Sequence, residues 1–378
     1  MKATETQAAV DTPVPYGIAR PAYYFGAGPA MLPAAVLREL QQELPDYRGI
    51  GNSILEMNHR SDTFQKITEQ AEADLRELMR IPDEYAVLFL HGGATLQFAM
   101  APLNLLGNRS SANYVNTGYW SVRAMREAER LCSVHVAADA GASGYKGIPP
   151  SEQWQLDQAG AYLHYTVNET IGGVEFHWLP NSQGLPLVAD MTSMILSRPV
   201  DVTRHALIYA AAQKNLGIAG LTLVIVRRDV LQDVPAGTPS MLDYREHIRA
   251  RSLFNTPPVF AWYVAAKMLA WLKQQGGVAA MATRNQHKAG ILYELLDGNG
   301  LYRNQVERAC RSWMNVPFRL AEQRLETVFL QQATAAGFAG LTGHRSVGGI
   351  RASLYNAMPE AGVRALADFM REFERTRA

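Results

Sequence analysis

Several residue types and patterns that mark common protein classes are scarce in this chain. Its 378 residues include only two cysteines, Cys132 and Cys310, which cannot build a disulfide framework and are expected to be inert thiols in a reducing compartment. The nine histidines are scattered, with no two at the helical spacing of metal ligands, so no metal site is expected. The formal net charge is +1 and no basic stripe alternates with aromatics, which argues against nucleic-acid binding.

Long apolar runs are also missing. Gln213 and Lys214 interrupt the longest apolar region, so no segment reaches the length of a membrane span. The first 22 residues contain Glu5, Asp11 and three prolines but no apolar core of the kind that signal peptides carry. Residues 1–22 are therefore expected to form a flexible extension, and the protein is expected in the cytoplasm without a membrane partner.

The remaining composition is that of a globular protein with a sizeable core. Hydrophobic residues make up 48% of the chain and charged residues 19%, and the length favours a large domain plus a smaller one. Strand-like apolar runs alternate with helix-like stretches, which predicts an α/β fold with a mostly parallel sheet covered on both faces. The strand-like runs are residues 85–90, 112–116, 161–165, 187–190, 205–210 and 221–226, and an amphipathic helix is predicted at 64–80.

The pattern changes near residue 259. Helices are predicted at residues 261–273 and from 277 onward, and a last helix at the carboxyl end. Strand-like runs at 314–318 and 327–330 lie between them. We therefore predict a large domain over residues 34–272, and a smaller α/β domain formed by 23–33 and 273–378.

Lys214 is the most informative single residue. The chain has seven lysines, and this one follows an apolar run among small residues, where poor solvation lowers the pKa of an amine and makes it a usable nucleophile. The preceding apolar run ends in Asp190. A lysine and a carboxylate at the ends of successive strands are what a pyridoxal phosphate enzyme needs, for the Schiff base and for the pyridinium nitrogen respectively. Taken singly, each residue has a commoner interpretation, as a solvated lysine or a turn-forming aspartate.

Other candidate residues also lie at the ends of the predicted strands. The turn at residues 92–95, Gly-Gly-Ala-Thr, leads from a strand into a helix, where backbone N–H groups can approach a phosphate; it can equally be only a tight turn. Thr192 could add a hydroxyl or cap a helix. Trp120 could stack on an aromatic ring or simply belong to the core. Ligands of such sheets bind beyond the carboxyl ends of the strands, where all these residues lie together with Thr170.

Basic residues supply a candidate substrate side. His59 and Arg60 form one pair, His344 and Arg345 form another, and Arg351 follows the double glycine at 348–349. The planar guanidinium suits carboxylates and phosphates. Any one arginine is more often a surface group, but the combination suggests a doubly anionic substrate.

The chain resembles the phosphoserine aminotransferases, members of the class V, fold-type I family of pyridoxal phosphate enzymes. The resemblance extends from residue 25 to the final helix. It rests on residues 25–33, 164–171, 195–199, 212–215, 254–258 and 343–358, which follow in the family's order. It implies a large domain with a mostly parallel seven-stranded sheet and a smaller carboxyl-terminal α/β domain. It also implies a homodimer with shared active sites that exchanges the amino group of glutamate with 3-phosphohydroxypyruvate in serine biosynthesis. In bacterial members the same enzyme also serves pyridoxine synthesis through 4-phosphohydroxythreonine, a second role open to this chain.

The resemblance implies a role for each candidate residue. Lys214 binds the cofactor covalently and moves the proton at the α-carbon, while Asp190 keeps the ring nitrogen protonated. Trp120 stacks on the ring, and Thr170 bonds near its phenolic oxygen. The cofactor phosphate is expected at Ala94, Thr95, Thr192 and Gln213, with Asn255 and Thr256 of the partner subunit. The substrate anions are expected at His59, Arg60, His344, Arg345 and Arg351, some of them across the dimer interface.

Two positions depart from the family's usual pattern. Thr95 stands where many members have arginine or cysteine, and Thr192 where serine is usual. Another class V enzyme, such as an alanine–glyoxylate-type aminotransferase or a desulfurase, is the nearest alternative, although neither cysteine lies in the small-residue loop a desulfurase needs. A catalytically silent binding protein of the same fold would have been free to lose Lys214 and Asp190. A Rossmann dehydrogenase is disfavoured, because no G-x-G-x-x-G follows the first strand.

Overall fold

A seven-stranded sheet forms the centre of the larger part of the molecule. The computed structural model describes residues 23–298 and 300–377. The prediction for residues 1–22 therefore lies outside the described residues. Along the large part of the chain the elements are β1 (Tyr23–Tyr24), α1 (Ala34–Glu43), α2 (Asp62–Met79), β2 (Tyr85–Leu90), α3 (Gly93–Leu105), β3 (Ser111–Asn116), α4 (Tyr119–Ala128), β4 (Ser133–Asp139), β5 (Leu163–Thr166), β6 (Asn168–Glu169), β7 (Val174–Glu175), β8 (Leu187–Asp190), β9 (Leu207–Ala211), β10 (Thr222–Arg227), α5 (Tyr244–Arg249) and α6 (Val259–Gln274).

The strand order is β2-β10-β9-β8-β5-β3-β4. Strand β10 pairs antiparallel with both β2 and β9, and all the other neighbours are parallel. Six of the seven strands therefore point the same way, and their carboxyl ends meet at one edge. The predicted mostly parallel seven-stranded sheet is confirmed.

The sheet is buried on both faces, as its continuous apolar strands require. Except in the partly exposed edge strand β4, alternate residues of the strands enter two separate cores. On one face Phe89 stacks on Trp262 of α6 with ring centroids 4.6 Å apart, and α2 packs outside that helix. Helix α6 is apolar almost all round because it lies between the sheet and α2. Helices α3 and α4 cover the other face, around Tyr114 and Tyr209.

The carboxyl-terminal part has its own core. Its elements are α7 (Gly277–Asp297), β11 (Tyr302–Arg303), β12 (Asn315–Leu320), α8 (Arg324–Ala335), β13 (Phe338–Ala339), β14 (Ile350–Ser353) and α9 (Glu360–Arg375). An antiparallel sheet, β11-β12-β14, packs against α8 and α9, and Phe25 from the amino-terminal segment joins this core. Helix α7 spans the boundary, since Met281 belongs to a sheet core and Leu292 to the carboxyl-terminal core. The division at residues 33/34 and 272/273 therefore stays a prediction, because the first half of α7, beyond residue 273, still packs in a core of the large domain.

The strand expected at residues 327–330 is wrong, because this segment lies inside helix α8. Thr-Val-Phe-Leu is typical of strands in isolation. In the fold, Phe329 and Ala333, four residues apart, are both buried on one helical face. Phe329 packs edge-on against Tyr302 and Phe318 of the sheet, so tertiary packing overrides the local preference.

No helix within residues 23–298 and 300–377 combines the length and the apolarity that a membrane span needs. In the same described residues, no group of three or more histidine, cysteine, aspartate or glutamate side chains is arranged to hold a metal ion.

Candidate active site

A cavity of about 310 Å³ lies at the carboxyl ends of the strands. Strand β9 leads to Lys214, β8 ends at Asp190, β5 leads to Thr170, and β3 leads to Trp120. The parallel direction of these strands brings the four side chains together although they are far apart in sequence. All four line the cavity, together with Ala94, Thr95, Thr192, Gln213, His344 and Arg351 from the predicted set.

Lys214 is almost completely enclosed, with 7% of its surface exposed. Its ammonium group donates a 2.7 Å hydrogen bond to the Thr170 hydroxyl and lies 5.9 Å from the centre of the Trp120 ring. Burial lowers its pKa from 10.5 to about 8, an effect that the charge of Asp190 opposes and that of Arg351 reinforces. The lysine is thus prepared to react as a neutral amine near physiological pH.

Asp190 is also buried, with 4% of its surface exposed. Burial raises its pKa, while hydrogen bonds from Thr192 and the charge of Lys214 act in the opposite direction. The backbone N–H of Thr192 donates to Oδ1 at 2.9 Å. Asp190 also lines the cavity, where the cation whose charge acts on it is Lys214, a lysine of lowered pKa. A protonated ring nitrogen would supply the missing positive partner.

The start of helix α3 forms one wall of the cavity. Gly92 and Gly93 both have left-handed backbone angles, φ 89° and 65°, which turn the chain sharply from β2 into the helix. The first residues of the helix, including Ala94 and Thr95, line the cavity, and their N–H groups have no partner within the helix. This arrangement suits a phosphate.

Helix α4, which carries Trp120, is held by a residue that the sequence reasoning did not assign. The carboxylate of Glu169 is completely buried and accepts hydrogen bonds from the backbone N–H groups of Trp120 and Ser121, at 2.9 and 2.8 Å. Burial raises the pKa of Glu169, and the two N–H donors oppose that change. Gly118 allows this close approach, since a β-carbon there would lie 2.8 Å from the carboxylate carbon. The sequence around Glu169 gave no signal for this role, since its neighbours Asn168 and Thr170 are also polar.

Arg351 connects the carboxyl-terminal domain to the cavity. It lies in β14, is buried, and donates a 3.2 Å hydrogen bond to the carbonyl of Thr170. Burial lowers its pKa. Beneath it, Asn315 accepts a hydrogen bond from Asn168 of the large domain and donates one to Ser353. This buried network fixes the strand that carries Arg351 against the large domain.

His344, from the carboxyl-terminal domain, also lines the cavity. Its ring centre is 5.4 Å from that of Tyr119. The backbone N–H of Ser346 donates to Nδ1 at 3.2 Å, which leaves Nε2 to carry the proton and to donate to an anion. Burial lowers the pKa of His344, with a further contribution from Arg351.

Five of the predicted residues do not line the cavity within one protomer. His59 and Arg60 lie just before α2, and Arg345 is exposed beyond His344. The other two, Asn255 and Thr256, lie in the loop before α6, where the Thr256 carbonyl contacts the His91 ring at 3.1 Å. Conversely, the cavity also contains Ala27, Gly28, Thr166, Asn168, Ile171 and Ser193, which sequence reasoning did not assign to the site.

The residues present fit pyridoxal phosphate. Gly28 leaves space beside the lysine, because a β-carbon there would contact Lys214 Cε at 3.6 Å. Thr166 Oγ1 and Trp120 Nε1 are buried without a hydrogen-bond partner among the described residues, and both belong to residues of the cavity wall. A flat, polar, phosphate-bearing ring would meet a lysine, an aspartate, an indole and a helix terminus here.

The family model of the class-V aminotransferases matches residues 22–366. The chain belongs to the class-V aminotransferases. Enzymes of this family use pyridoxal phosphate, so the predicted cofactor and fold type are confirmed.

Similar class-V aminotransferases cover nearly the whole chain. The phosphoserine aminotransferase of Laribacter hongkongensis is 55% identical, over 93% of this chain and 98% of that protein. That of Nitrosomonas europaea is 51% identical, over 95% and 100%. The solved phosphoserine aminotransferase of Bacillus circulans subsp. alkalophilus superposes with a TM-score of 0.91 at 45% identity, over 94% and 98%.

More distant structures share the fold alone. An alanine–glyoxylate aminotransferase from Nostoc superposes with a TM-score of 0.73 at 15% identity, over 96% of this chain and 97% of that one. Nothing in this likeness favours the alanine–glyoxylate alternative over the phosphoserine enzymes.

Proposed function

We propose that this class-V aminotransferase is a phosphoserine aminotransferase, which transfers the amino group of glutamate to 3-phosphohydroxypyruvate and forms phosphoserine and 2-oxoglutarate. The observation that carries the proposal is the convergence of a buried lysine, a buried aspartate and a buried arginine on one cavity, Lys214, Asp190 and Arg351. The identities of 50–55% to phosphoserine aminotransferases support the choice of substrate.

Pyridoxal phosphate, when bound, supplies an electron-withdrawing ring that stabilises negative charge at the substrate α-carbon. Lys214 would hold the cofactor and afterwards, as the free amine, take and return the proton of the α-carbon. A pKa of about 8 suits both directions of that transfer, because general catalysis works best when the pKa lies near the working pH. The Thr170 hydroxyl, 2.7 Å from Nζ, orients the amine.

The remaining residues position the cofactor and the substrate. Asp190 would pair with the ring nitrogen, and Trp120 would cover the ring face. The N–H groups at Ala94 and Thr95, with Thr192 and Gln213, would hold the cofactor phosphate. Arg351 would bind the α-carboxylate that glutamate and the keto acid share, since its guanidinium is buried at the cavity wall without a carboxylate partner among the described residues.

A homodimer with shared sites is part of the same proposal. His59, Arg60, Asn255 and Thr256 do not line this cavity in one protomer, which agrees with their acting in the partner's site. Arg345, with His344, would meet the distal anionic group of the substrate. We also propose a cytoplasmic location. It is supported by the two free thiols, whose burial raises the pKa of Cys132 to about 11 and that of Cys310 above its usual range.

The test is the visible absorption of the purified holoenzyme, titrated in parallel with phosphoserine and with alanine. The cofactor's visible band should disappear at a far lower concentration of phosphoserine than of alanine. Lys214→Ala should abolish turnover, whereas Lys66→Ala, on the exposed face of α2, should retain it. An equal response to both amino acids would keep transamination but refute the phosphoserine assignment, and turnover in Lys214→Ala would refute the mechanism.

A further inference from the structure

A second concavity opens beside the catalytic cavity and is continuous with it. This groove has a volume of about 730 Å³, and it shares Ile171, His344 and Arg351 with the catalytic cavity. Helix α4 of the large domain forms one wall, and strands β11 and β12 of the carboxyl-terminal domain form the other. Anything that reaches Arg351 through the groove passes between these two walls.

The wall made by α4 carries a row of arginines. Arg123 and Arg126 are three residues apart on one face of α4, Arg130 follows just after the helix ends at Ala128, and all three line the groove. Arg130 pairs with Glu127 at 3.3 Å. Arg123 and Arg126 have no carboxylate within ion-pair distance among the described residues, so their charges are not neutralised locally.

The facing wall repeats this excess of positive charge. Arg303 and Arg319 are directly opposite each other on the antiparallel strands β11 and β12, a placement of like charges that destabilises a sheet. Arg319 donates to the Val347 carbonyl, and its nearest carboxylate, Glu326, is 3.8 Å away. Arg303 has no carboxylate partner among the described residues.

The groove as a whole is strongly cationic. Among the described residues, seven arginine or lysine side chains line it and one carboxylate does, that of Glu127. Isolated surface arginines are ordinary, and a row on one helix is usually a solvated face. The groove differs from such a surface. Its two walls come from different domains, both carry arginines without a carboxylate partner in the described part of the chain, and the groove leads to the catalytic cavity. The formal net charge of the whole chain is only +1, so this field is local.

From this geometry we infer that the groove is an anion-binding entrance, where Arg123 and Arg126 from one side and Arg303 and Arg319 from the other capture the phosphate of the substrate before it reaches His344 and Arg351. The inference rests on the proposed function for the identity of the substrate. Clefts lined by one sign of charge raise association rates of oppositely charged ligands by about 10- to 1,000-fold, and salt suppresses the effect. The entrance therefore acts on the rate of capture and not on the chemical step.

The experiment uses the holoenzyme and the double variant Arg123→Gln/Arg126→Gln. Arg38→Gln/Arg204→Gln is the matched control, because it removes the same charge from exposed arginines that line neither the groove nor the catalytic cavity. Stopped-flow absorbance of the cofactor gives the second-order rate constant for phosphoserine at low ionic strength. We expect that constant to fall about tenfold in the groove variant, within the range for electrostatic steering, and the rate at saturating phosphoserine to stay unchanged.

Two further comparisons, one at high salt and one with a substrate of no net charge, test whether the difference in rate constant is electrostatic. The difference between groove variant and parent should shrink towards zero at 1 M salt, where the screening length is about 3 Å. Alanine, which carries no net charge, should react with both proteins at the same second-order rate. Equal rate constants and equal salt dependence for phosphoserine in the groove variant and the control variant would overturn the inference.

A second measurement separates this inference from the proposed function. Inorganic phosphate binding to the holoenzymes, measured by equilibrium dialysis, needs no turnover. Weaker binding in Arg123→Gln/Arg126→Gln than in the control supports the anion site even if phosphoserine proves a poor substrate. Equal phosphate binding in the parent, the control and the groove variant overturns the anion site even if phosphoserine is the substrate.

Discussion

Capture of pyridoxal phosphate by the cofactor-free protein is expected to accelerate with pH and to level off above about pH 8. Lys214 reacts only as the neutral amine, and burial lowers its pKa from 10.5 to about 8. At 1.36 kcal/mol per pKa unit, this change disfavours the ammonium form by about 3 kcal/mol. At pH 7 about 10% of Lys214 is then neutral, compared with about 0.03% of a solvated lysine, a gain of roughly 300-fold.

The charges next to Lys214 predict in which direction each substitution moves the midpoint of the pH profile. Asp190 raises the pKa of Lys214, so Asp190→Asn should move the midpoint of the pH profile to lower pH. Arg351 lowers it, so Arg351→Gln should move the midpoint to higher pH. The position of the midpoint, and not the amplitude, is the relevant quantity, because both variants are also expected to bind the cofactor or the substrate more weakly.

The assay is stopped-flow absorbance after mixing cofactor-free protein with pyridoxal phosphate at pH 6 to 10.5. Lys66→Ala serves as the control, since Lys66 lies exposed on α2 outside the cavity. A midpoint above pH 10 in the parent protein would refute the desolvation argument. Identical midpoints in the parent, Asp190→Asn and Arg351→Gln would refute the assigned electrostatic neighbours.

Two further predictions concern residues that support the site without lining its reactive part. Glu169→Ala should lower the free energy of unfolding by about 2–5 kcal/mol, because two buried backbone N–H groups lose their charged acceptor. Glu169→Gln keeps one acceptor oxygen and should lose less stability. Equal urea midpoints for the two variants would contradict this prediction. Lys288 is buried in α7 and donates hydrogen bonds to three backbone carbonyls after β14, at 2.7–3.2 Å. Lys288→Met should therefore lower the free energy of unfolding, measured in urea, by about 3–5 kcal/mol. The control Lys66→Met should change it by less than about 0.5 kcal/mol. A loss in Lys288→Met as small as in Lys66→Met would show that these carbonyls find other partners.

The strands of the large domain could be predicted closely because they are continuous apolar runs bounded by glycine and polar residues. The run at residues 187–190 coincides with β8, and that at 85–90 with β2. Helix α8 was missed for the opposite reason. Its β-branched and aromatic residues favour a strand locally, and only the packing of Phe329 on the neighbouring sheet makes the helix the better solution.

The site could be predicted where a charged residue follows an apolar run in the sequence. Lys214 and Asp190 follow apolar runs, and such positions meet at one edge of any parallel sheet. Glu169 gives no such signal by itself, because its role is to accept hydrogen bonds from a helix about 50 residues earlier in the chain. The cationic groove was equally hard to predict, since the four arginines of the proposed anion site come from α4, β11 and β12, three separated segments.

By itself, the sequence determined the α/β class and the mostly parallel sheet, because hydrophobic periodicity is a property of the chain in one dimension, and its resemblance to known enzymes indicated the family and the cofactor. Only the tertiary structure decided the antiparallel direction of β10, the enclosure that lowers the pKa of Lys214, the support of α4 by Glu169 and the meeting of two arginine-bearing walls. Desolvation and charge coupling depend on distances between residues that the chain separates widely, and those distances exist only after folding.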